Sequence, residues 1–535
     1  MNSLSFNPAT GAFIFRSRDA EGAALARSIG LDRSVPASSP GEDVYFTRDE
    51  YAALPLWKMA DNSARDVLLP RHIEYAASME TEWRGGSLLC PGDRDYMPFQ
   101  KAGIRYALDR PHALIGDEPG LGKTVMAIGV ANEMKARRVL VICPASVRLQ
   151  WRREVRAWSI FPRPIVYPVL KASDGINPHA HYTIISYDLA RHAVLHAAMR
   201  KMHFDLLVLD EAHYLKTWDA LRTRAVFGDG EAHDERFLLG LAGCAERILG
   251  LTGTPLPNRP RECYTLARHL CWDSIDWMSE DKFRWRYNPS GTMPSGYVKE
   301  MVGRLPELRS RLRCNFMVRR HKKDVLKDLP DKRYELAYVE ENGQIREALR
   351  AEKMLDIDPL DLKGLDAEIL GQISTVRRMM GLAKVDRVGE HVAMLLDGGV
   401  EKLVVFAHHR EVITQLQERL ARYGCVVVSG AVSPVARAKA VLAFQSEPKC
   451  RVFIGQLQAA GTGLDGLQQV CGHVVFAEAD WVPGTNEQCV DRLHRHGQKG
   501  AVLAQFLVAP GSLDEKVLGS AIAKAHTVFD ALDNR

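Results

Sequence analysis

The sequence has no CxxC pair among its ten cysteines, no signal-peptide pattern at its N-terminus and no long apolar run. Its longest apolar runs have the length of a strand, well short of the ~20 residues that a membrane span needs. Several cysteines lie inside apolar runs such as 139–144, which is typical of reduced, buried thiols rather than of a zinc site. These absences predict a protein with no membrane partner. It would work in the cytoplasm of a bacterial or virus-infected cell, or in the nucleus of a eukaryote.

No strong charge of either sign is present, because the formal net charge is only +5 over 535 residues. This balance permits a nucleic-acid partner but does not argue for one, since the clustering of charge matters more than the total. The length exceeds what one hydrophobic core supports, so two to four domains are expected.

Short apolar runs alternate with helical periods from about residue 96 onward, which indicates parallel sheets covered on both faces. The predicted strands form two series. The first series is 114–115, 139–143, 182–186, 206–209 and 248–251, and the second is 403–406, 426–428, 452–454, 474–476 and 503–507. The pattern predicts an α/β fold with two tandem lobes, at 91–330 and 331–535. Residues 1–90 differ and predict a small α+β module, with strands at 11–15 and 44–47 around a helix at 20–29.

A glycine-rich segment, DEPGLGKT at 117–124, lies between the apolar run 113–115 and a predicted helix at 125–134. A strand, a glycine loop and a helix in this order form a phosphate-binding context. Gly120 and Gly122 would turn backbone N–H groups onto phosphate oxygens, Lys123 would bridge the β- and γ-phosphates, and Thr124 would bind magnesium. The usual first glycine of the pattern is Asp117.

Two further motifs follow apolar strands in the same lobe. In DEAH at 210–213, Asp210 would hold magnesium and Glu211 would orient and deprotonate the attacking water. In LTGTP at 251–255, Thr252 and Thr254 could sense the γ-phosphate. Upstream, Gln100 is either a reader of the adenine edge or a surface glutamine at a helix start.

The second lobe carries QCVDRLHRHGQ at 488–498, in which Gln488, Arg492 and Arg495 recur at helical spacing. They form either a pair of arginine fingers for the γ-phosphate or a solvated basic helix face. A GTGLD segment at 461–465 follows the strand at 452–454.

As a set, these motifs resemble the superfamily-two helicase-like ATPases, and within them the Swi/Snf-related DNA translocases. The segments FMVRRHKKDVLKDLP at 316–330 and HRHGQ at 494–498 are typical of that family. PFQKAG, CPASVRLQW, VFAHH and VFAEADW are closest to its annealing-helicase (HARP-type) branch. The resemblance covers about residues 96–510 and implies two RecA-like lobes, ATP with Mg²⁺, and a monomeric motor on duplex or forked DNA.

By the same resemblance, roles carry over to individual positions. Catalysis would fall to Lys123, Asp210, Glu211, Arg492 and Arg495, and metal binding to Thr124 and Asp210. ATP binding would involve Gln100, Asp117, Gly120, Leu121, Gly122, Lys123, Thr124 and Asp465. DNA contacts would involve Ser146, Thr252, Thr254, Gly461, Thr462, Gly463 and Trp481. Coupling would involve His213, Gln488 and Gln498. Asp465 stands where the family carries asparagine, which places a negative charge near the phosphate or DNA path.

Basic residues accumulate before the join between the lobes, where they either contact DNA phosphates or lie on a solvated helix. They are Arg304, Arg309, Arg311, Arg313, Arg319, Arg320, Lys322 and Lys323. Several functions stay open beside an ATP-dependent translocase that remodels forks or protein–DNA complexes. They are a strand-separating DNA or RNA helicase, a non-hydrolysing scaffold, and the motor subunit of a nuclease or defence complex. In the last case residues 1–90 would dock a protein partner.

Overall fold

The computed structural model describes residues 2–33, 42–92, 94–228, 240–253, 260–292, 298–300, 303–326, 332–355, 367–457, 465–480, 483–516 and 518. By its contacts the chain divides into two compact units. The first contains Met1–Glu118 and Gly122–Val325, and the main part of the second begins at Leu326, with Pro119–Leu121 grouped with it. The predicted join at 330 lies outside the described residues. Among the described helices, none is both long and apolar enough to cross a membrane.

The first unit begins with the predicted α+β module. Its described strands form an antiparallel sheet in the order β1-β2-β4-β3, and are β1 (Ser3–Asn7), β2 (Ala12–Ser17), β3 (Asp32–Arg33) and β4 (Asp43–Thr47). The helices are α1 (Ala20–Ile29), α2 (Glu50–Ala53) and α3 (Asn62–Ala77). Helix α1 has the predicted bounds. The Asp19 side chain accepts a hydrogen bond from Gly22 N at its start, and Gly30 takes a left-handed conformation (φ 82°) at its end.

A seven-stranded parallel sheet forms the centre of the first lobe, in the order β13-β5-β10-β9-β6-β8-β7. The strands of this sheet are β5 (Ala113–Ile115), β6 (Val139–Cys143), β7 (Val166–Pro168), β8 (Tyr182–Ser186), β9 (Phe204–Asp210), β10 (Ala245–Leu251) and β13 (Met317–Val318). Two further strands, β11 (Ser290–Thr292) and β12 (Val298–Glu300), form a separate antiparallel ribbon. All five predicted strands of this lobe are confirmed. Strands β7 and β13 were not predicted, because β7 is only partly buried and ends in a proline, and β13 has only two residues.

Helices cover both faces of this sheet, as a parallel sheet requires. They are α4 (Pro98–Leu108), α5 (Lys123–Glu133), α6 (Arg148–Trp158), α7 (Tyr187–Ala190), α8 (Ala193–Arg200), α9 (Leu221–Phe227), α10 (Tyr264–Cys271), α11 (Glu280–Tyr287), α12 (Leu305–Asn315) and α13 (Lys322–Val325). Successive side chains of β9 enter opposite cores. Leu207 and Leu209 lie in one buried cluster, while Leu206 and Val208 lie in the other.

The second lobe contains a six-stranded parallel sheet in the order β14-β19-β18-β15-β17-β16. Its strands are β14 (Lys332–Tyr338), β15 (Leu403–Ala407), β16 (Cys425–Val428), β17 (Val452–Gln456), β18 (His473–Phe476) and β19 (Val502–Val508). Its helices are α14 (Gly343–Met354), α15 (Ala367–Asp397), α16 (Arg410–Arg419), α17 (Pro434–Ser446) and α18 (Pro483–Asp491). The five predicted strands are confirmed. Strand β14 was missed because it is an edge strand whose side chains are mostly exposed.

A buried network of charges joins the N-terminal module to α12. Glu307 is fully buried and accepts hydrogen bonds from Arg286 Nε at 2.9 Å, Arg311 Nε at 2.7 Å and the Tyr287 hydroxyl at 2.8 Å. Asp49, immediately before α2, accepts from both guanidiniums. The carboxylates of the module and of α12 therefore share the same two arginines, which fixes the module on the first lobe.

Two expectations for the basic residues before the join, that they contact DNA phosphates or that they lie on a solvated helix, are wrong for most of them. Six of the eight are buried inside the first unit, where DNA phosphates cannot reach their charged groups. They are Arg309, Arg311, Arg313, Arg319, Arg320 and Lys322. Among the eight, only Lys323 is exposed.

Replacing the central carboxylate of this network should destabilise the first unit. In Glu307→Gln, the buried Arg311 and the partly buried Arg286 keep Asp49 but lose the fully buried one of their two shared carboxylates, and we expect the free energy of unfolding to fall by about 3 kcal/mol. Calorimetry and hydrogen exchange of the amides in α12 measure the change. Glu347→Gln, an exposed position on α14, is the control, and equal losses in the two variants would contradict the network's role.

The second lobe contains a carboxyl group with an unusual proton affinity. Burial raises the pKa of Glu352 to about 7, although its Oε2 accepts a hydrogen bond from Leu513 N at 2.7 Å. The folded protein therefore binds this proton more tightly than the unfolded chain, whose glutamate pKa is 4.5. Stability should fall as the pH rises through the interval between the two values.

Glu352→Gln should remove this pH dependence, because the amide cannot ionise. We expect the variant to gain stability relative to wild type between pH 5 and pH 8, by at most about 3 kcal/mol. Midpoint temperatures measured at both pH values test this. A wild-type-to-variant difference that is the same at both would contradict the assignment.

Candidate active site

Three adjacent strands of the first lobe end at the same level, and each is followed by a predicted motif. In the sheet, Leu251 of β10 pairs with Ile115 of β5 on one side and with Asp210 of β9 on the other. The carboxyl ends of parallel strands are where open α/β sheets bind ligands. The segments that follow β5, β9 and β10 therefore meet at one edge.

The phosphate loop after β5 depends on two glycines in left-handed conformations, Gly120 (φ 89°) and Gly122 (φ 76°). Leu121 lies between them and is buried. A side chain at Gly122 would collide with the amide nitrogen of Gln100, whose Oε1 accepts a hydrogen bond from Met97 N at 3.0 Å. Gln100 is thus buried against the loop and is not a surface glutamine. Its contact with adenine stays a prediction.

Lys123 begins α5 directly after Gly122. Its Nζ donates to two carbonyls of the loop, those of Asp117 at 2.8 Å and Glu118 at 3.3 Å. Burial lowers the pKa of Lys123, although the charges of Glu211, Asp117 and Asp210 act in the opposite direction. The ammonium group is therefore held at the loop by weak, neutral acceptors, which a phosphate oxygen can replace.

Asp117 does not present its carboxylate to a ligand, contrary to its expected role in ATP binding. The carboxylate is fully buried and pairs with the Arg320 side chain, and its Oδ1 also accepts from Arg320 N at 2.9 Å and from Nε at 3.1 Å. Breaking a buried pair of this kind costs about 3–5 kcal/mol. Asp117 therefore positions the loop, and its contribution to the site is its backbone carbonyl.

The neighbours of this pair fix the loop further. Arg319 Nη1 donates to Gly116 O at 2.6 Å and to Gly253 O at 3.2 Å, so it bridges the segments after β5 and β10. His321 Nδ1 lies 2.8 Å from Glu118 Oε1, and Lys322 N donates to Glu118 Oε2 at 2.8 Å. Sequence reasoning missed these contacts. The available signal was the complementary charge of two short segments, the acidic pair at 117–118 and the basic run at 319–321.

Asp210 is oriented by two aromatic residues. Its Oδ2 accepts a hydrogen bond from Trp151 Nε1 at 2.7 Å, and its carbonyl accepts one from the Tyr187 hydroxyl at 2.8 Å. Burial, together with the charge of Glu211, raises the pKa of Asp210 to about 6. Trp151, which lies on α6 and is almost fully buried, had no predicted role. The hydrogen bond from Trp151 orients this carboxylate, and a nearby cation would stabilise its ionised form.

Contacts between side chains connect Glu211 and His213 to Thr252, the first residue after β10. Glu211 adopts a left-handed conformation (φ 52°), which is uncommon for a residue with a side chain and concentrates at functional sites. His213 Nδ1 lies 3.3 Å from Glu211 Oε2 and 3.1 Å from Thr252 Oγ1. Burial, with the charge of Lys216, lowers the pKa of His213 to about 4, so the imidazole is neutral near pH 7.

Thr252 was expected to contact DNA, and the structure corrects this. Its side chain is fully buried and lies on His213, and its N–H donates to Ile115 O at 3.1 Å. A buried hydroxyl on the catalytic chain cannot reach a DNA backbone. Thr252 connects the DEAH segment with the segment after β10.

The donor set fits magnesium and a triphosphate. Thr124, the second residue of α5, supplies a hydroxyl beside Lys123. Asp210 supplies an oriented carboxylate whose pKa is raised by burial and by the charge of Glu211, so a cation bound between these carboxylates would offset that repulsion. Hard oxygen ligands of this kind suit Mg²⁺.

Several predicted DNA contacts cannot be placed. Ser146 lies in a short 3₁₀ turn, Ala145–Val147, after β6, and nothing is described of its side chain. Thr254, Gly461, Thr462, Gly463 and Trp481 lie outside the described residues. Their roles stay predictions.

In the second lobe, Gln488, Arg492 and Arg495 do not share one helix face as predicted. Helix α18 ends at Asp491, because the chain tightens there: Leu493 N donates to Val490 O at 2.9 Å, and Arg495 N donates to Leu493 O at 3.2 Å. The two arginines therefore lie in a turn after the helix, where both are partly exposed.

Gln498 stabilises this turn. Its Nε2 donates to Cys471 O at 2.8 Å and Leu493 O at 3.1 Å, while its Oε1 accepts from Lys499 N at 2.9 Å and Gly500 N at 3.1 Å. All four hydrogen bonds stay inside the second lobe. In this structure the amide holds residues 493–500, and its coupling role stays a prediction.

Glu478 is a further buried acid that sequence reasoning missed. It follows β18 and accepts hydrogen bonds from His408 N at 2.8 Å, His409 N at 2.9 Å and His409 Nδ1 at 2.6 Å. Burial alone would raise the pKa of Glu478, but these hydrogen bonds lower it. The pair ties the carboxyl ends of β15 and β18 together. The only signal was the position of VFAHH and VFAEAD after apolar runs.

Two protein-family models match the chain. A family model described as SNF2-related domain matches residues 99–385, and one described as helicase conserved C-terminal domain matches residues 383–497. A solved structure described as the Sulfolobus solfataricus SWI2/SNF2 ATPase core in complex with dsDNA shares 19% identity and covers 84% of this chain and all of its own. Its TM-score of 0.39 is too low to add to the family models.

Two curated relatives are similar over most of the chain. The DNA annealing helicase and endonuclease ZRANB3 of Bos taurus is 31% identical over 82% of this chain and 41% of its own length. The SWI/SNF-related matrix-associated actin-dependent regulator of chromatin subfamily A-like protein 1 of Xenopus tropicalis is 30% identical over 79% of this chain and 45% of its own. The chain thus spans less than half the length of these relatives. The SNF2-related model alone matches more than half of the chain, so the protein belongs to the SNF2-related family of helicase-like ATPases.

Proposed function

We propose that the protein is an ATP-dependent translocase on double-stranded DNA. The observation that carries the proposal is the continuous chain of contacts from Trp151 through Asp210, Glu211 and His213 to Thr252, beside the Lys123 loop. A motor needs such a chain, because loss of the γ-phosphate must be reported to a part of the protein that can move.

Hydrolysis would proceed as follows. Lys123 Nζ exchanges the carbonyls of Asp117 and Glu118 for oxygens of the β- and γ-phosphates. Glu211 orients a water and accepts its proton as the water oxygen bonds to the γ-phosphorus and the bond to the β-phosphate oxygen breaks. Magnesium, held by Thr124 and Asp210, would neutralise charge on these phosphates when bound.

The second lobe would contribute the arginines. Arg492 and Arg495 neutralise charge that develops on the γ-phosphate, which in related chemistry is worth ~10³–10⁵ in rate. Because the lysine and the arginines belong to different units, ATP would draw the two lobes together and its hydrolysis would release them. Each cycle would move the lobes along DNA phosphates, with the polarity of movement left open.

Duplex DNA is the proposed track because of family membership and not because of net charge. A relative is named a DNA annealing helicase, and the structure shows that most basic residues before the join are buried. The remodelling of forks or protein–DNA complexes, in the compartment where the cell keeps its DNA, follows from the same likeness. A scaffold function is disfavoured, since an oriented Asp210 and a strained Glu211 serve no purpose in docking.

Hydrolysis should depend on Glu211 and on DNA. In wild type, we expect duplex or forked DNA to stimulate phosphate release several-fold more than RNA, and added salt to weaken the stimulation steeply. Glu211→Gln should lower the stimulated rate by about 10²–10⁴, because the amide cannot accept the proton of water. Phosphate release, measured against each nucleic acid at several salt concentrations, tests both.

Glu246→Gln is the matched control, because Glu246 lies near the amino end of β10, at the opposite edge of the sheet. It should hydrolyse ATP at the wild-type rate. Full turnover by Glu211→Gln would overturn the catalytic assignment. Stimulation by RNA alone would replace the DNA translocase by an RNA helicase.

Trp151 should matter through one hydrogen bond. Trp151→Phe keeps an aromatic ring but leaves Asp210 Oδ2 without the indole N–H, so we expect kcat to fall about tenfold, the rate equivalent of 1.4 kcal/mol. Trp158→Phe is the control, since Trp158 lies on the same helix and stacks on Tyr96. Steady-state kinetics with duplex DNA would contradict the assignment if the two variants were equally active.

A further inference from the structure

Asp465, the residue that departs from the family's asparagine, lies against a proposed arginine finger. Its Oδ1 is 3.2 Å from Arg495 Nη1. The two side chains are 36% and 18% exposed, so water reaches the pair only in part. Both residues belong to the second unit, and the contact needs nothing from the first.

The carboxylate is held in place by its own loop. Gly466 adopts a left-handed conformation (φ 105°), and a side chain there would collide with the Gln445 amide. Gly466 N donates to Gln468 Oε1 at 3.0 Å, and Gln445 Nε2 donates to Gly466 O at 2.9 Å. Asp465 therefore starts a fixed turn.

The backbone of Arg495 is held as well, because Arg495 lies in the turn that Gln498 stabilises. Its carbonyl accepts a hydrogen bond from Gln498 N at 3.0 Å. Its Nη1 is buried and makes no aligned hydrogen bond within the described part of the chain. Charge alone thus joins Nη1 to Asp465. An anion that meets the guanidinium in its plane, with aligned hydrogen bonds, competes well for such a cation.

We propose that Asp465 is a positioning residue that occupies Arg495 in the nucleotide-free protein and yields it to the γ-phosphate of ATP. The inference rests on the proposed function, in which Arg495 touches that phosphate. While Asp465 holds the arginine, only a fraction of the molecules can bind ATP fully. The apparent dissociation constant for ATP is raised by the reciprocal of that fraction.

Asp465→Asn tests the proposal, because the amide keeps the shape and removes the charge. Partly exposed ion pairs correspond to about a two- to fivefold change in an equilibrium. We expect the dissociation constant of a fluorescent ATP analogue and the KM for ATP to fall by this factor. Asp465→Glu, which restores the charge, should return both constants toward the wild-type values.

The matched control is Asp386→Asn, which removes the carboxylate of another aspartate–arginine pair of the same lobe, that with Arg419. It should leave the dissociation constant unchanged. In an Arg495→Ala background, Asp465→Asn should no longer tighten binding, because the competing partner is gone.

The outcomes separate the two hypotheses. Wild-type turnover by Arg495→Ala would overturn the finger role, and with it the proposed function of the second lobe. If Arg495→Ala loses turnover but Asp465→Asn leaves ATP binding unchanged or weakens it, the finger role stands and the role of Asp465 is overturned. Tighter binding that persists in the Arg495→Ala background would also overturn it.

Discussion

The buried ion pair of Asp117 and Arg320 fixes the phosphate loop, and the rest of the site depends on that loop. The two side chains are almost completely excluded from water, where an unpaired charge would cost several kcal/mol. The pair attaches the start of the loop to the segment 319–322, which follows β13 near the end of the first unit. Through Arg319 the same segment also holds the backbone after β10. Any movement of this segment must therefore act on the phosphate loop and on the segment after β10 together.

This arrangement explains why most of the basic residues before the join are unavailable to DNA in this chain. The Arg-Arg-His run is placed against the Asp-Glu pair of the loop, and Arg311 is placed against Glu307 and Asp49. These ion pairs fix the N-terminal module and the phosphate loop to the rest of the first lobe. Affinity for a nucleic acid must come from other surfaces, and net charge is a poor guide to it.

The α/β fold and the positions of the motifs could be predicted, because buried parallel strands are continuous apolar runs and their carboxyl ends carry ligands. What could not be predicted depends on pairs far apart in sequence or on weak local signals. Asp117 and Arg320 are 203 residues apart. The exposed edge strand β14 has no apolar run. The end of α18 at Asp491 is set by turns that periodicity does not show, and the burial of Thr252 depends on its two neighbouring strands.

The central claim is that hydrolysis in this site drives movement along an intact duplex. Displacement of a third strand from a DNA triplex measures such movement without requiring the duplex to open. We expect the wild-type protein to displace the third strand only with hydrolysable ATP and Mg²⁺ and to leave the two duplex strands paired. We expect the Lys123→Ala variant to displace no third strand. Displacement without ATP hydrolysis, or separation of the duplex strands themselves, would contradict it.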